Sequence, residues 1–308
     1  LRMVSIYYLF FIITHGITFT LSARAVKKGR LHLPRTISIL GNILLYFLLF
    51  LFYDQASSYL IPIGIIQGFF SGMYWITFHI LRFDLTNKAN RGRFTGANKA
   101  MSIAGKLLAP AIGGALIHFN FLGLGYGNIF LMAAIAYLLA LLIGYIKLPK
   151  LETRPLHLIR STKILWQNKD IKKALLARLF GNIGYMGAME RLIPILIFVV
   201  LKNEFQVGNW LTIFSVIAII TTLLFGKFVP YRLYKQTLLL SSSLFFISTL
   251  LLVGMPSLIA YIIYGFTREI LVPFIQIPGN VYIDNLAHEL PEYKHHKVEY
   301  FVIKEWYS

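Results

Sequence analysis

The chain has 308 residues, of which 57% are apolar, with a mean hydropathy of +0.68 and a formal net charge of +18. A water-soluble core cannot absorb apolar blocks long enough to cross a bilayer, which takes roughly 20 helical residues. Cysteine is absent, which excludes a disulfide framework and a thiolate metal site. The excess of 30 basic over 12 acidic residues does not indicate nucleic acid, because its placement follows the connectors between the apolar blocks.

In chain order the blocks fall at 4–21, 36–52, 60–81, 97–118, 124–146, 174–201, 207–229, 237–253 and 258–282, with a tenth beginning near residue 300. Each can satisfy its own backbone as a helix and lacks the alternation of a barrel strand, so the fold class is all-α, a polytopic membrane protein. The first block is not flanked as a cleaved signal peptide. Leu1 already lies in an apolar block and Ser308 a few residues into another, so the chain reads as a fragment.

Cations occupy alternate connectors. Arg24, Lys27, Lys28, Arg30 and Arg35 follow the first block, Arg82, Lys88, Arg91, Arg93 and Lys99 the third, and Lys227, Arg232 and Lys235 the seventh. The long stretch 147–173 is basic throughout, and Lys294 and Lys297 precede the tenth block, whereas the intervening connectors hold Lys202 alone. The positive-inside rule places the basic connectors in the cytoplasm and the chain in a cell's inner or plasma membrane. Within 147–173, Leu156, Ile159, Ile164, Leu165 and Trp166 predict an amphipathic helix at the headgroups. The stretch 283–299 reads as a polar loop with Glu289, Glu292 and Glu299 beside His295 and His296; it has no ligand set at helical spacing, so no metal is expected.

In the fourth block Gly96, Gly105, Ala109, Pro110, Gly113 and Gly114 interrupt an apolar run. Small residues four apart let helices approach closely, and a mid-span proline bends the helix; Gly105 and Gly113 are expected to face another helix. Lys106, mid-span, needs a carboxylate, water or a snorkelling route to the interface. Two acids lie at membrane depth, Glu190 beside Arg191 and Glu269 beside Arg268, each followed by a proline. Intramembrane charge of this kind marks a substrate or proton path, or else the two dyads pair crosswise to hold their helices together.

Two multi-helix halves, a basic central connector and the glycine spacing of the fourth block together resemble the major facilitator superfamily over essentially the whole chain. The resemblance implies that 1–146 holds helices two to six, 147–173 the cytoplasmic central loop and 174–308 helices seven to the start of eleven, leaving the first helix and most of the last two outside. Gly96 to Gly114 match the family's antiporter motif, G-x8-G-x3-G-P-x2-G-G, with Ala109 in place of one glycine. Lys27, Lys28 and Arg30, and again Gly226 and Arg232, occupy the place of its basic gating motif, whose acid is missing from both connectors. Asp84 and Asp284, at the inside ends of helices four and ten, could receive the arginines; simple retention charge is the other explanation.

By the same resemblance helices seven and ten face a central cavity, which puts Glu190, Arg191, Arg268 and Glu269 on the transport path. Helix four would line that cavity with Gln67, Tyr74, Trp75 and His79. Gln67-Gly68 matches the end of the R-x-x-q-G motif, but Gly64 stands where the arginine belongs. Tyr74 and Trp75 could stack a flat or cationic substrate or pack against lipid. No hydrolase, protease or P-loop signature is present, so the chain is expected not to be an enzyme, and a gradient must drive it. The expectation is a proton-coupled exporter of a small molecule working by alternating access, monomeric, without cofactor, its partners being lipid, substrate and protons. The alternative is a non-transporting membrane sensor or assembly protein with the same fold.

Overall fold

The computed structural model describes residues 2–87, 90–119, 127–143, 155–181, 204–255, 257–290 and 293–307. Among the described residues the α-helices are α1 (Arg2–Lys27), α2 (His32–Leu51), α3 (Leu60–Asp84), α4 (Arg91–Phe119), α5 (Gly127–Ile143), α6 (Leu158–Gln167), α7 (Lys169–Gly181), α8 (Glu204–Phe228), α9 (Tyr234–Gly254), α10 (Leu258–His288) and α11 (Tyr293–Trp306). Short 3-10 turns at Tyr53–Tyr59 and Tyr231–Leu233 join α2 to α3 and α8 to α9. Four described spans, Ser5–Lys27, His32–Leu51, Tyr53–Asp84 and Tyr231–Gly254, are long and apolar enough to cross a bilayer.

Many large apolar side chains face outward. On α9 the buried positions are Tyr234, Ser241 and Ser248, seven residues apart, while Leu240, Phe246 and Ile247 are exposed. Lipid is as apolar as leucine, so burying leucine between helices gains little there, and small side chains that let backbones approach take the inner face.

Helix ends are set by local chemistry. Gly29, at φ 75, closes α1: its N–H donates to Val26 O at 2.9 Å, and the Arg30 N–H to Ala25 O at 3.1 Å. This is the paired arrangement that a left-handed glycine makes past a helix C-terminus. Asn87 and Asn90 cap the start of α4 reciprocally, each side-chain oxygen accepting the other's N–H at 2.8 and 3.0 Å. Ser257 Oγ accepts from the Ala260 N–H at 3.2 Å to start α10.

The chain divides into two compact units. The first comprises Leu1–Leu85, Ala111–Leu165 and Glu292–Trp306; the second, Thr86–Pro110, Trp166–Pro291 and Tyr307–Ser308. In the first, α1 and α3 pack along a glycine stripe. A Cβ on Gly64 would fall 2.8 Å from Tyr7 O and one on Gly72 2.5 Å from His15 O, and at Gly68 it would strike Phe11 O. In the second, Phe225, Tyr234, Ile277 and Val281 form a core flanked by Val229, Tyr231 and Phe274.

Three boundaries differ from expectation. α1 continues to Lys27, so the connector expected at 22–35 shrinks to 28–31. Of the polar loop expected at 283–299, residues 283–288 end α10 and 293–299 begin α11, where Lys297 and Glu299 have charged partners. The central connector forms α6 and the start of α7, and the latter begins at Lys169. α6 is amphipathic as expected, but it packs on protein as well: Ser161 and Leu165 are buried. Ser161 Oγ lies 2.7 Å from His296 Nδ1, and the His157 N–H donates to Glu299 Oε1 at 3.1 Å.

Candidate functional site

Along α11, charged side chains meet α1 and α3 at successive depths. Lys297 Nζ donates to Asp84 Oδ1 at 2.5 Å, at the last residue of α3. Two residues further along α11, Lys27 Nζ lies 2.9 Å from Glu299 Oε2, with the two side chains only 7% and 0% exposed. Deeper still, Glu305 meets two imidazoles, His15 Nε2 at 3.2 Å from Oε1 and His79 Nε2 at 3.6 Å from Oε2. Trp306 Nε1 donates to Thr20 Oγ1 at 3.1 Å beyond it. A charge taken out of water is tolerated only with a partner, and these acids and cations supply one another across helices distant in sequence.

Lys27 is a buried helix-end residue rather than a loop cation, and its acid comes from α11. Among the described residues Asp84 receives a lysine of α11 and no loop arginine. Lys28, Arg30 and Arg232 are exposed. Asp284 is wholly buried on α10; beside it Asn285 accepts a hydrogen bond from Arg91 Nη1 at the start of α4.

Of the α3 residues singled out, Gln67 sits in a polar chain: its Oε1 accepts from the Tyr7 hydroxyl and its Nε2 donates to the Tyr46 hydroxyl at 3.0 Å. Tyr46 in turn stacks on Tyr137 with centroids 5.6 Å apart. Gly64 cannot be replaced by the family's arginine, because the Tyr7 carbonyl fills the space where the side chain would begin. Tyr74 and Trp75 are partly exposed; Trp75 packs edge to face with Tyr74 and Phe78, while Tyr74 stacks on Phe78. His79 lies parallel to Phe301, 5.9 Å away at 8°.

In the second unit Arg268 Nη1 pairs with Glu269 Oε1, both side chains 15% exposed, midway along α10. Pro273, four residues on, has no N–H, so the Glu269 carbonyl loses its helical donor. Thr221 Oγ1 of α8 reaches that carbonyl at 3.0 Å, while also lying 2.8 Å from Ile217 O of its own helix. A neighbouring hydroxyl that satisfies the freed carbonyl is what makes a proline tolerable inside a membrane helix. Glu190 and Arg191 lie outside the described residues, so the crosswise pairing of the dyads is undescribed.

The close helix crossing at the antiporter-like motif is at Gly96. A Cβ there would meet Thr222 O at 3.1 Å and Gly226 Cα at 3.2 Å, both backbone atoms of α8. Gly96 and Gly226, which belong to two separate motifs in the sequence, are one contact in space. Gly105, expected to share it, faces no described atom within 4 Å: nine residues along a helix of 3.6 per turn is half a turn out of register with Gly96. Ala109, Pro110, Gly113 and Gly114 lie on α4, with their side-chain surroundings outside the described residues.

Sequence reasoning missed His15, Glu305, Glu299 and Thr221. The only local signal available was the periodicity Gly64, Gly68, Gly72, a small-residue stripe that brings α1, and with it His15, close to α3.

Outward-facing apolar helices that hold paired charges inside define an integral membrane protein. The family model of the Major Facilitator Superfamily matches residues 2–292, and the chain belongs to that superfamily. It is 22% identical over 307 residues to the uncharacterized protein YqgE of Bacillus subtilis (strain 168), covering 98% of this chain and 70% of that one. It is 24% identical over 133 residues to an uncharacterized protein in the sodM 3' region of Geobacillus stearothermophilus, covering 43% of this chain and 62% of the other. Among solved structures, the human organic anion transporter MFSD10 (TETRAN) superposes with a TM-score of 0.73 at 13% identity, over 98% of this chain and 74% of its own. A bacterial homologue of the iron transporter ferroportin, in an outward-facing state, superposes with a TM-score of 0.70 at 16% identity, over 100% and 81%. At such identities the likeness is one of fold.

Proposed function

We propose that the protein is a proton-coupled exporter of a small molecule, working as a monomer by alternating access in a cell's inner or plasma membrane, with its basic connectors cytoplasmic. The observation that carries the reading is the Arg268–Glu269 pair, held midway along α10 one turn before Pro273. A charged pair at that depth is costly to keep for packing alone. Glu190 and Arg191 are the corresponding dyad of the other proline-bearing span, and Gln67, Tyr74, Trp75 and His79 supply polar and aromatic groups on α3.

The bodies that move are the two sequence halves, 1–146 and 174–308. Segments of both halves meet within each compact unit, α11 against α1 and α3 in one, and α4 against α8 in the other. The Lys27–Glu299 and Lys297–Asp84 pairs and the Gly96–Gly226 crossing lie at the helix ends that carry the basic connectors. Within each unit taken by itself, alternating access requires its contact between the two sequence halves to part.

The test is flux in proteoliposomes of the full-length protein, with and without a pH gradient. The substrate panel should include organic anions and iron, after the names of the organic anion transporter and of the iron transporter whose homologue is the second structural relative. Glu269→Gln is expected to abolish gradient-driven flux while sparing substrate binding measured by thermal shift. Full gradient-driven flux in that variant would make the dyad structural and move the coupling elsewhere.

A further inference from the structure

We propose that His15, Glu305 and His79 form a proton-binding site that fastens α11 to α1 and α3 when protonated and releases it when not. The proposal rests on the proton-coupled reading and adds to it a second place for the proton, away from the α10 dyad.

The geometry is one carboxylate between two imidazoles, each from a different helix: Glu305 with His15 of α1 at 3.2 Å and His79 of α3 at 3.6 Å. The three side chains are only 15–19% exposed. With both rings neutral the cluster carries an uncompensated negative charge, with one charged it is neutral, and with both charged it is positive. One proton is therefore the favoured load in an environment that penalises net charge.

The surroundings suit a ring that changes state. His15 Nδ1 lies 3.0 Å from Ser71 Oγ, and a hydroxyl can donate to a bare ring nitrogen or accept from a protonated one. His79 sits among the rings of Trp75, Phe301 and Phe19, with centroids 5.6, 5.9 and 6.2 Å away, whose π-faces favour a cation.

Other charges on the packed helices are occupied elsewhere. Lys27 serves Glu299 and Lys297 serves Asp84. Lys304, next to Glu305, lies 6.0 Å over the Phe301 ring, and Arg82 of α3 is buried. From α6, Ser161 engages His296 and the His157 backbone engages Glu299.

The experiment is a double-mutant cycle of His15→Gln and Glu305→Gln in the full-length protein, read by Tm at about pH 6 and about pH 8. At the lower pH the interaction should appear as a coupling of about 2–4 °C in Tm; at the higher pH it should vanish. Should Glu305→Gln fail to insert, His15→Gln/His79→Gln takes its place in a Val302→Cys background. Thiol labelling of that cysteine, buried on α11, should quicken with rising pH more steeply in the parent than in the variant, whose rate should rise only with the thiolate fraction common to both. A coupling of the same size at both pH values, or a variant that labels with the parent's pH dependence, overturns the proposal. The two readings separate because neither measurement needs transport. Flux that ignores the pH gradient, with the cycle still pH-dependent, removes the coupling reading and leaves the site; gradient-driven flux with a pH-independent cycle does the reverse.

Discussion

Removing the acid from the Lys27–Glu299 pair is expected to loosen α11 from α1 far more than removing both charges. Nζ and Oε2 are 2.9 Å apart with side chains 7% and 0% exposed, so in Glu299→Gln the lysine stays buried without its counter-charge. Breaking one side of such a pair costs about 3–5 kcal/mol, whereas replacing both partners by apolar residues is neutral or stabilising. At 1.36 kcal/mol per factor of ten, the single change shifts the docking equilibrium of α11 by about 10²–10⁴. The assay is thiol labelling of Val302→Cys, a position 2% exposed in a chain without other cysteines. Labelling should accelerate by about that factor in Glu299→Gln, and protection should return in Lys27→Met/Glu299→Leu. A single variant as protected and as heat-stable as its parent would show that the pair does not hold the helix, and the ledger above would fail.

Gly96→Leu should impair transport and cost about 1–3 kcal/mol, since its Cβ meets the α8 backbone, whereas Gly105→Leu, whose Cβ meets no described atom within 4 Å, should cost less; flux and Tm together decide. Thr221→Val should lower the Tm by leaving the Glu269 carbonyl without its donor, a loss of about 1–3 kcal/mol, and Thr221→Ser should restore it. Single cysteines at Lys163 and Lys235 should label from the cytoplasmic side and one at Asp54 from outside, and two positions reacting from the wrong face would overturn the orientation.

The membrane class, the helical fold and the family were legible because they depend on long averages, namely apolar run lengths, alternate basic connectors and a glycine spacing. Contacts were not, because each partner was unremarkable in its own window. Lys27 and Glu299 both resemble solvated loop residues until they are brought together, and their pairing is what lets α1 and α11 extend through stretches that look polar. Glycine spacing marks where a helix has little side chain but not which face meets a neighbour, so Gly96 and Gly226 could not be joined, nor Gly105 excluded. At Gly64 a comparison with a motif arginine drew attention to the missing charge, when the four-residue recurrence to Gly68 and Gly72 was the informative signal. The Thr221 contact depends on one hydroxyl standing opposite a carbonyl that Pro273 releases, and no periodicity encodes that.

The three buried positions of α9 invert the usual map of mutational tolerance. In a water-soluble helix the outer residues vary freely in polarity and the inner ones must stay large and oily. Here Leu240, Phe246 and Ile247 look onto hydrocarbon chains that conform to any shape, so each can be exchanged for another oily side chain of different size but not for a polar one. Ser241 and Ser248 are held by the opposite constraint, volume, and alanine or glycine should serve there where leucine, the commonest residue of the helix, would wedge it away from its neighbours.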